Sequence, residues 1–252
     1  MSQPLATPSV KDATESIIFP PGDIYSDEPP LESDLHREQI DLLIRLIKWW
    51  WRDAYGGLSL RENFYATGNL TIYFSPKQKK SEEFRGPDFF VVLDTEKKDR
   101  KSWVVWQENG KYPNVIIELL SDSTASVDKG LKKQIYQNTF RTPDYFWFDP
   151  NNQELQGFHL VDGQYQEIEF TAKGWLWSQQ LGLYLGVESG KLRFFTPDGE
   201  LVTLPEEEAK EQLQQANEQL QQANQELEQE RQRAAILAER LRAAGIDPEQ
   251  IF

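Results

Sequence analysis

Two short, almost wholly apolar runs constrain the fold of this chain more than any other feature of its sequence. They read FFVVL at 89–93 and VIIELL at 115–120, and polar residues flank each run. Apolar runs of this length, rich in Val, Ile and Phe, are typical of β-strands that are buried in a sheet. We therefore predict a β-sheet at the centre of the folded core.

Helices and further strands surround these two runs. Apolar residues at helical spacing predict one helix from near Leu35 and a second from near Val127. Asp162-Gly163 is a residue pair favoured in two-residue hairpin turns. This order of helices and strands predicts an α+β fold, a sandwich around a mixed sheet. The further predicted strands are 69–74, 103–106, 145–148, 156–161 and 164–170.

The last fifty residues follow a different pattern, a repeat of seven residues. EQLQQAN at 211–217 recurs at 218–224, and Leu or Ala stands at every seventh position from Leu213 to Leu241. A second row, three residues later, consists of Ala and Leu and is interrupted by Glu230. Two such rows predict a coiled coil, and with it a homo-oligomer. A solvated single helix is the alternative.

The net charge of −14 is concentrated at the two ends of the chain. Residues 1–38 carry −6 and residues 205–252 carry −6, whereas the residues between them carry only −2. An acidic tail repels DNA over a Debye length of about 10 Å but does not prevent a local basic cleft from binding it. We divide the chain into an extended or disordered arm, a folded domain, a helical coiled-coil tail and a C-terminal end, at 1–34, 35–204, 205–244 and 245–252.

The residue content excludes several kinds of site. The chain has no cysteine, which excludes disulfides, thiolate nucleophiles and cysteine-ligated zinc. Its two histidines are His36 and His159, so a Ser-His-Asp triad would have to use one of them. The N-terminus lacks the basic and apolar regions of a secretory signal, and no apolar run is long enough to span a bilayer. We expect a cytoplasmic protein with no membrane partner.

One carboxylate accompanies each of the two buried runs. Asp88 stands just before FFVVL, and Glu118 stands inside VIIELL. Ionised carboxylates are rarely buried unless they are paired, hydrogen-bonded or bound to a metal. If the two strands are neighbours, both carboxylates can point into one pocket, an oxygen-only site that suits Mg²⁺ or Mn²⁺. The alternatives are that Asp88 is a turn residue and that Glu118 pairs with an arginine.

Three lysines on the second predicted helix are candidates for a role beside these carboxylates. Lys132 lies four residues before Tyr136 and therefore adjoins the apolar, inward side of the helix. Lys129 and Lys133 are expected to point more toward solvent. The three together also fit an ordinary solvated basic face.

The order of these motifs resembles one protein family. The chain is similar to the Uma-two family, bacterial restriction-endonuclease-like proteins of the PD-(D/E)xK nuclease superfamily, over roughly residues 31–200. The matching segments are Leu-Glu-Ser-Asp-Leu-His-Arg-Glu at 31–38, Gly-Pro-Asp-Phe-Phe-Val-Val at 86–92, Val-Ile-Ile-Glu-Leu-Leu-Ser at 115–121, Asp128 with Lys132 and Tyr136, and Tyr-Phe-Trp-Phe-Asp-Pro at 145–150.

The resemblance implies a restriction-endonuclease-like mixed sheet flanked by helices. It also implies that Asp88 and Glu118 are metal ligands, with Mg²⁺ or Mn²⁺ as the cofactor, and that Lys132 is the third catalytic residue. The Glu-x-Lys pattern of the superfamily would place lysine at position 120, where this chain has Leu120. Lys132 on the following helix stands in for it.

We therefore expect a metal-dependent endonuclease that hydrolyses phosphodiester bonds in DNA. The metal would polarise the phosphate and lower the pKa of a water molecule, and Lys132 would orient that water or stabilise developing charge. Glu38 and His36, at the start of the first helix, are candidate accessory residues. One alternative is a phosphodiesterase that acts on RNA or nucleotides. The other is a catalytically inactive nuclease-fold scaffold that assembles through its coiled coil.

Overall fold

The computed structural model describes residues 24–26, 33–52, 61–75, 84–121 and 128–245. The chain separates into two compact units, Met1–Val202 and Thr203–Phe252. In the described residues the first unit contains the sheets and the second contains one long helix. The predictions for the C-terminal end after Gly245, and for most of the arm, lie outside the described residues.

In the described residues two groups of six strands lie between three helices along the chain. In the first half it forms α1 (Asp34–Arg52), β1 (Phe64–Thr67), β2 (Ile72–Tyr73), β3 (Phe84–Arg85), β4 (Phe89–Leu93), β5 (Trp103–Val104) and β6 (Val115–Leu119). A helix α2 follows, in which the α-helical turn Lys133–Ile135 lies between the π-helical segments Asp128–Lys132 and Tyr136–Phe140. The remaining elements are β7 (Asp144–Asp149), β8 (Glu154–Val161), β9 (Gln164–Glu167), β10 (Leu176–Ser178), β11 (Leu183–Glu188), β12 (Lys191–Phe195) and α3 (Pro205–Ala243).

A six-stranded mixed sheet forms the centre of the first unit, in the order β1-β4-β6-β7-β8-β9. The two apolar runs form its neighbouring strands β4 and β6, and all five residues of each strand are buried. These two strands are antiparallel, with Phe89 opposite Ile117. Strands β6 and β7 run parallel, and α2 lies in the connection between them. The predicted α+β fold around a mixed sheet is confirmed.

Helix α2 covers one face of this sheet. Tyr136 and Phe140 of α2 pack in one buried cluster with Phe90, Ile116 and Tyr145, which point from three adjacent strands to that face. Helix α1 contacts β1, β4 and β12. The buried amide of Gln39 accepts a hydrogen bond from the backbone N–H of Leu192 and donates one to its carbonyl, which anchors α1 to β12.

Two smaller sheets complete the first unit. One joins β3, β2 and β5, and the other joins β10, β11 and β12. The sequence pattern predicted neither β1 nor the second small sheet. Strand β1 has only four residues and β10 only three, and Gly186 interrupts the apolar run of β11. A side chain at 186 would collide with the ring of Trp175, so glycine is required there by close packing.

The second unit contains helix α3, which has 39 residues. It begins at Pro205, a residue suited to the first turn because it needs no hydrogen-bond partner for its nitrogen. The side chain of Glu207 accepts a hydrogen bond from the backbone N–H of Leu204 and so caps the start of the helix. None of the helices described is both long enough and apolar enough to cross a membrane.

Candidate active site

Asp88 lies one residue before β4, where the chain turns into the sheet. Its carboxylate Oδ2 accepts a hydrogen bond of 2.7 Å from the backbone N–H of Leu119, at the end of the neighbouring strand β6. Gly68 allows this arrangement, because a Cβ atom there would collide with the carbonyl oxygen of Asp88 and with the side chain of Ile40. The end of β1 can therefore approach the Asp88 backbone closely.

Glu118 lies in β6 next to Trp147 of β7, and none of its surface is exposed. Its Oε1 accepts a 2.6 Å hydrogen bond from the hydroxyl of Tyr136. Its Oε2 accepts a 3.2 Å bond from Lys132 Nζ and a 3.3 Å bond from the backbone N–H of Asp88. The buried carboxyl group is thus held by three donors, two from helix α2 and one from the residue before β4.

Lys132 approaches Glu118 from helix α2. The side chain of Lys132 is 18% exposed, so it joins a fully buried carboxylate to the surface of the domain. Leu120, where the superfamily pattern has its lysine, is fully buried. The structure therefore brings Asp88, Glu118 and Lys132 together. The hydrogen bond from Tyr136 to Glu118 was not predicted from the sequence, where Tyr136 appeared only on the apolar side of the helix and in the motif with Asp128 and Lys132.

Burial raises the pKa of Glu118 to about 7, because the charged form loses its hydration inside the core. The charge of Lys132 lowers this pKa, the charge of Asp88 raises it, and the hydrogen bond from Tyr136 lowers it. At neutral pH the carboxyl group is therefore divided between its protonated and ionised forms. A cation that binds the ionised form competes with this proton.

The chain matches a family model over most of its length. The model is that of Uma2, described as "Putative restriction endonuclease", and it matches residues 6–194. The chain belongs to the Uma2 family. The resemblance to the Uma-two family that the motifs indicated is confirmed, and restriction-endonuclease-like nucleases are the class to which the family description refers.

Two further comparisons accompany the Uma2 assignment. The chain is similar to a solved structure described as "a putative nuclease belonging to DUF820 from Anabaena variabilis ATCC 29413". The two chains are 12% identical, with a TM-score of 0.43, over 61% of this chain and 76% of that chain. No curated protein matches this Uma2 chain.

The other two lysines of α2 lie against aromatic rings of the Uma2 sheet. Lys129 Nζ is 4.0 Å from the centroid of the Trp147 ring, and Lys133 Nζ is 3.4 Å from that of Phe158. Lys133 is half-buried, and burial lowers its pKa while Glu167 raises it. Lys133, which was expected to point more toward solvent than Lys132, thus packs partly against the sheet. Lys129 is exposed but stays above the strand next to Glu118.

The two candidate accessory residues make contacts of their own at the start of α1. Ser33 Oγ lies 2.8 Å from His36 Nδ1 and accepts a hydrogen bond from the His36 backbone N–H. The Nε2 atom of His36 is buried and has no hydrogen-bond partner among the described residues. Glu38 is exposed and pairs with Lys191 at 3.6 Å. The structure therefore places neither side chain in the hydrogen-bond group of Glu118.

A second buried carboxylate, Asp144, lies at the start of β7. It accepts hydrogen bonds from Ser178 Oγ at 2.6 Å and from the backbone N–H of Gln180 at 2.9 Å, and His159 Nδ1 lies 2.6 Å away. Ser178 donates to the aspartate and not to the histidine, so these residues do not form a catalytic triad. They tie β7 and β8 of the Uma2 domain to the loop after β10.

A cavity among the described residues lies at the opposite end of β4 from Asp88. Its volume is about 1020 Å³, and it adjoins Asp94, which follows the last residue of β4. Asp88 and Asp94 are roughly 20 Å apart along an extended strand. Four basic and four acidic residues line the cavity, so it has no net charge that would attract a polyanion: Lys48, Arg61, Lys97 and Lys98, and Glu62, Asp94, Glu96 and Asp99.

Proposed function

We propose that this Uma2 protein is a Mg²⁺- or Mn²⁺-dependent endonuclease that hydrolyses phosphodiester bonds in DNA. The observation that carries the proposal is the meeting of Asp88, Glu118 and Lys132, in which Lys132 Nζ lies 3.2 Å from the buried Glu118 Oε2. Two carboxylates beside one lysine supply ligands for a hard cation and a positive charge for a phosphate. The family description supports the same class of reaction.

The donor set fits a small divalent cation. Mg²⁺ is commonly bound through one or two carboxylates, with water molecules and substrate phosphates as its other ligands. Asp88 and Glu118 provide these two carboxylates, and the described residues contain no group of three or more His, Cys, Asp or Glu that could form a protein cage. When bound, the metal would polarise the phosphate and lower the pKa of an attacking water molecule.

The residues around the carboxylates have distinct roles in this proposal. Tyr136 holds Glu118 through the 2.6 Å hydrogen bond, and the backbone N–H of Leu119 holds Asp88, so both carboxylates keep a fixed orientation. Lys132 is the partly exposed cation of the group, and its ammonium stabilises the negative charge that grows on the phosphate during attack. Lys129, above Trp147, adds a positive charge beside the path of the substrate.

Cleavage of supercoiled plasmid DNA in the presence of Mn²⁺ or Mg²⁺ tests this proposal. We expect Lys132→Ala to reduce the rate by roughly a hundredfold or more, because it removes a charge that stabilises the transition state. Lys129→Ala and Lys133→Ala are the matched controls on the same helix. They should reduce the rate only at low salt, where attraction between separated charges is least screened.

The outcomes separate three interpretations. Equal losses in all three lysine variants would mean that the lysines act as a diffuse basic patch and not through one positioned ammonium. Cleavage of RNA or of nucleotides, but not of DNA, would select the phosphodiesterase alternative. A wild-type protein that binds the metal by calorimetry but cleaves none of these substrates would overturn the endonuclease proposal in favour of an inactive scaffold.

We further propose that the protein is a homo-oligomer through α3. Leucines stand at heptad spacing in this helix. Four of them are 47–63% exposed in the single chain: Leu213, Leu220, Leu227 and Leu237. Burial of such a row against another helix is favourable, because it removes apolar surface from water.

A further inference from the structure

Helix α3 exposes two rows of apolar side chains along its length. The first row is Leu213, Leu220, Leu227, Ala234 and Leu241, and the second row, three residues later, is Ala216, Ala223, Glu230, Leu237 and Ala244. The large exposed members are Leu213, Leu220, Leu227 and Leu237. No residue of α3 is buried, so the rows are uncovered in the single chain. With 39 residues the helix is about 58 Å long, which is enough for several turns of contact with a partner helix.

The charges of α3 are divided between its two halves. Residues 205–230 contain eight glutamates and one lysine, a net charge of −7. Residues 231–245 contain four arginines and one glutamate, a net charge of +3. A helix with this charge distribution is complementary to a second copy of itself only if the second copy runs in the opposite direction.

We propose that two copies of this chain pair through α3 as an antiparallel coiled coil. The proposal rests on the self-association proposed above and assigns its partner, orientation and register. In antiparallel pairing the acidic half of each helix lies along the basic half of the other. Charged residues beside the seam of a coiled coil are known to set the orientation of its helices.

One register satisfies both the apolar rows and the charges. In it Leu220 lies opposite Leu237 of the partner subunit, and each residue of the first row meets one of the second row. Glu230, the interruption in the second row, lies opposite Leu227 of the partner subunit, where its charged end can reach the surface. The other facing pairs are Leu213 with Ala244, Ala216 with Leu241, and Ala223 with Ala234.

The residues beside the seam select this register over its neighbours. It brings Glu226 next to Arg233 of the partner subunit, and the two-fold symmetry of the pair makes this contact twice. A shift by seven residues in one direction brings Glu226 next to Glu226 of the partner subunit. A shift in the other direction brings the two copies of Arg233 together. Both shifts replace attraction by repulsion.

Parallel pairing is disfavoured by Glu230 and by the division of charge along the helix. It would place Glu230 against Glu230 of the partner subunit inside the seam, where two carboxylates are poorly hydrated and repel each other. It would also align the two acidic halves side by side. In that orientation Glu226 would keep a basic neighbour, Arg231 of the partner subunit, but Arg233 would have no acidic neighbour across the seam.

Disulfide trapping in the full-length protein tests the orientation, because the chain has no natural cysteine to interfere. We expect a mixture of Leu220→Cys and Leu237→Cys to form a covalent dimer under oxidation, and neither variant to do so alone. Gln222→Cys, outside both rows, is the matched control and should stay uncoupled. Coupling of Leu220→Cys with itself would show parallel helices and overturn the proposal, as would a dimer without the mixed cross-link.

Charge exchange tests the register by sedimentation equilibrium. Glu226→Arg and Arg233→Glu should each raise the dissociation constant of the dimer about fivefold, and the double variant should restore it. A parallel dimer would leave Arg233→Glu without effect. A wild-type protein that stays monomeric at every concentration would overturn the proposal. None of these measurements depends on nuclease activity, so they can fail while the endonuclease proposal stands.

Discussion

Replacement of Glu118 by glutamine separates the charge of this residue from its shape. Glutamine has the same size, and its amide oxygen can still accept the hydrogen bond from Tyr136. It cannot ionise, so the variant loses the proton equilibrium that burial creates at this position. Its amide nitrogen would face two other donors, the N–H of Asp88 and the ammonium of Lys132. This contact between donors destabilises the variant for a reason unrelated to the ionisation of Glu118.

The magnitude follows from the two pKa values of Glu118. The pKa in the folded state is about 7, whereas the ordinary pKa is 4.5. Between these two pH values the folded state therefore binds more protons than the unfolded state. The stability contributed by the protonated carboxyl is fully present below pH 4.5 and is lost as the pH rises through 7. Between about pH 5 and about pH 8 the loss amounts to roughly 2–3 kcal/mol.

Urea unfolding without divalent cations, followed by tryptophan fluorescence, measures this effect. We expect the free energy of unfolding of wild type to fall by roughly 2–3 kcal/mol relative to Glu118→Gln from about pH 5 to about pH 8. Glu154→Gln, an exposed substitution on β8, is the control and should follow wild type. If Glu118→Gln and wild type change equally with pH, the carboxyl group does not titrate as its burial requires.

Three further predictions concern the metal, the tail and the close approach at Gly68. Mg²⁺ at about a hundred times its dissociation constant should stabilise wild type by about 2.7 kcal/mol, and a full response in Glu118→Gln by thermal unfolding would disprove the metal assignment. A chain that ends at Leu204 should fold, because the tail has its own apolar rows. Light scattering should show fewer chains per particle for this truncated chain than for the full chain, and equal numbers would contradict the prediction. Gly68→Ala should destabilise the domain by about 1–3 kcal/mol in urea, because the new methyl group has no room, whereas Gly130→Ala should not, as nothing lies within 4 Å of a Cβ there.

The most informative sequence signal was a charged residue within an apolar segment. A glutamate within VIIELL is costly unless it has partners, so Glu118 was identifiable from the amino-acid order alone. The alternation of side chains along a strand then indicated which neighbours share its face. Its pairing with an arginine, one alternative, is not what the structure shows, because the partners are Lys132 and Tyr136.

Features that depend on packing were not predictable in this way. The hydroxyl of Tyr136 reaches Glu118 through the geometry of α2, whose π-helical turns leave no mark on the spacing of apolar residues. The packing of Lys133 on Phe158 likewise depends on where the helix lies above the sheet. Strands β10 to β12 were missed because β10 has only three residues and glycine interrupts the apolar run of β11.

The parallel pairing of β6 and β7 has a consequence for how such a site can evolve and fold. Parallel neighbours need a crossover connection, and here that connection contains the helix that carries Lys132. Closing the sheet therefore also brings the ammonium over Glu118, whichever residue occupies position 120. A lysine on the crossover helix can therefore lie beside Glu118 without any change of topology. A partly folded chain that lacks this crossover would not bring Asp88, Glu118 and Lys132 together. Under the proposed function, hydrolysis would therefore begin only when this β-α-β unit is complete.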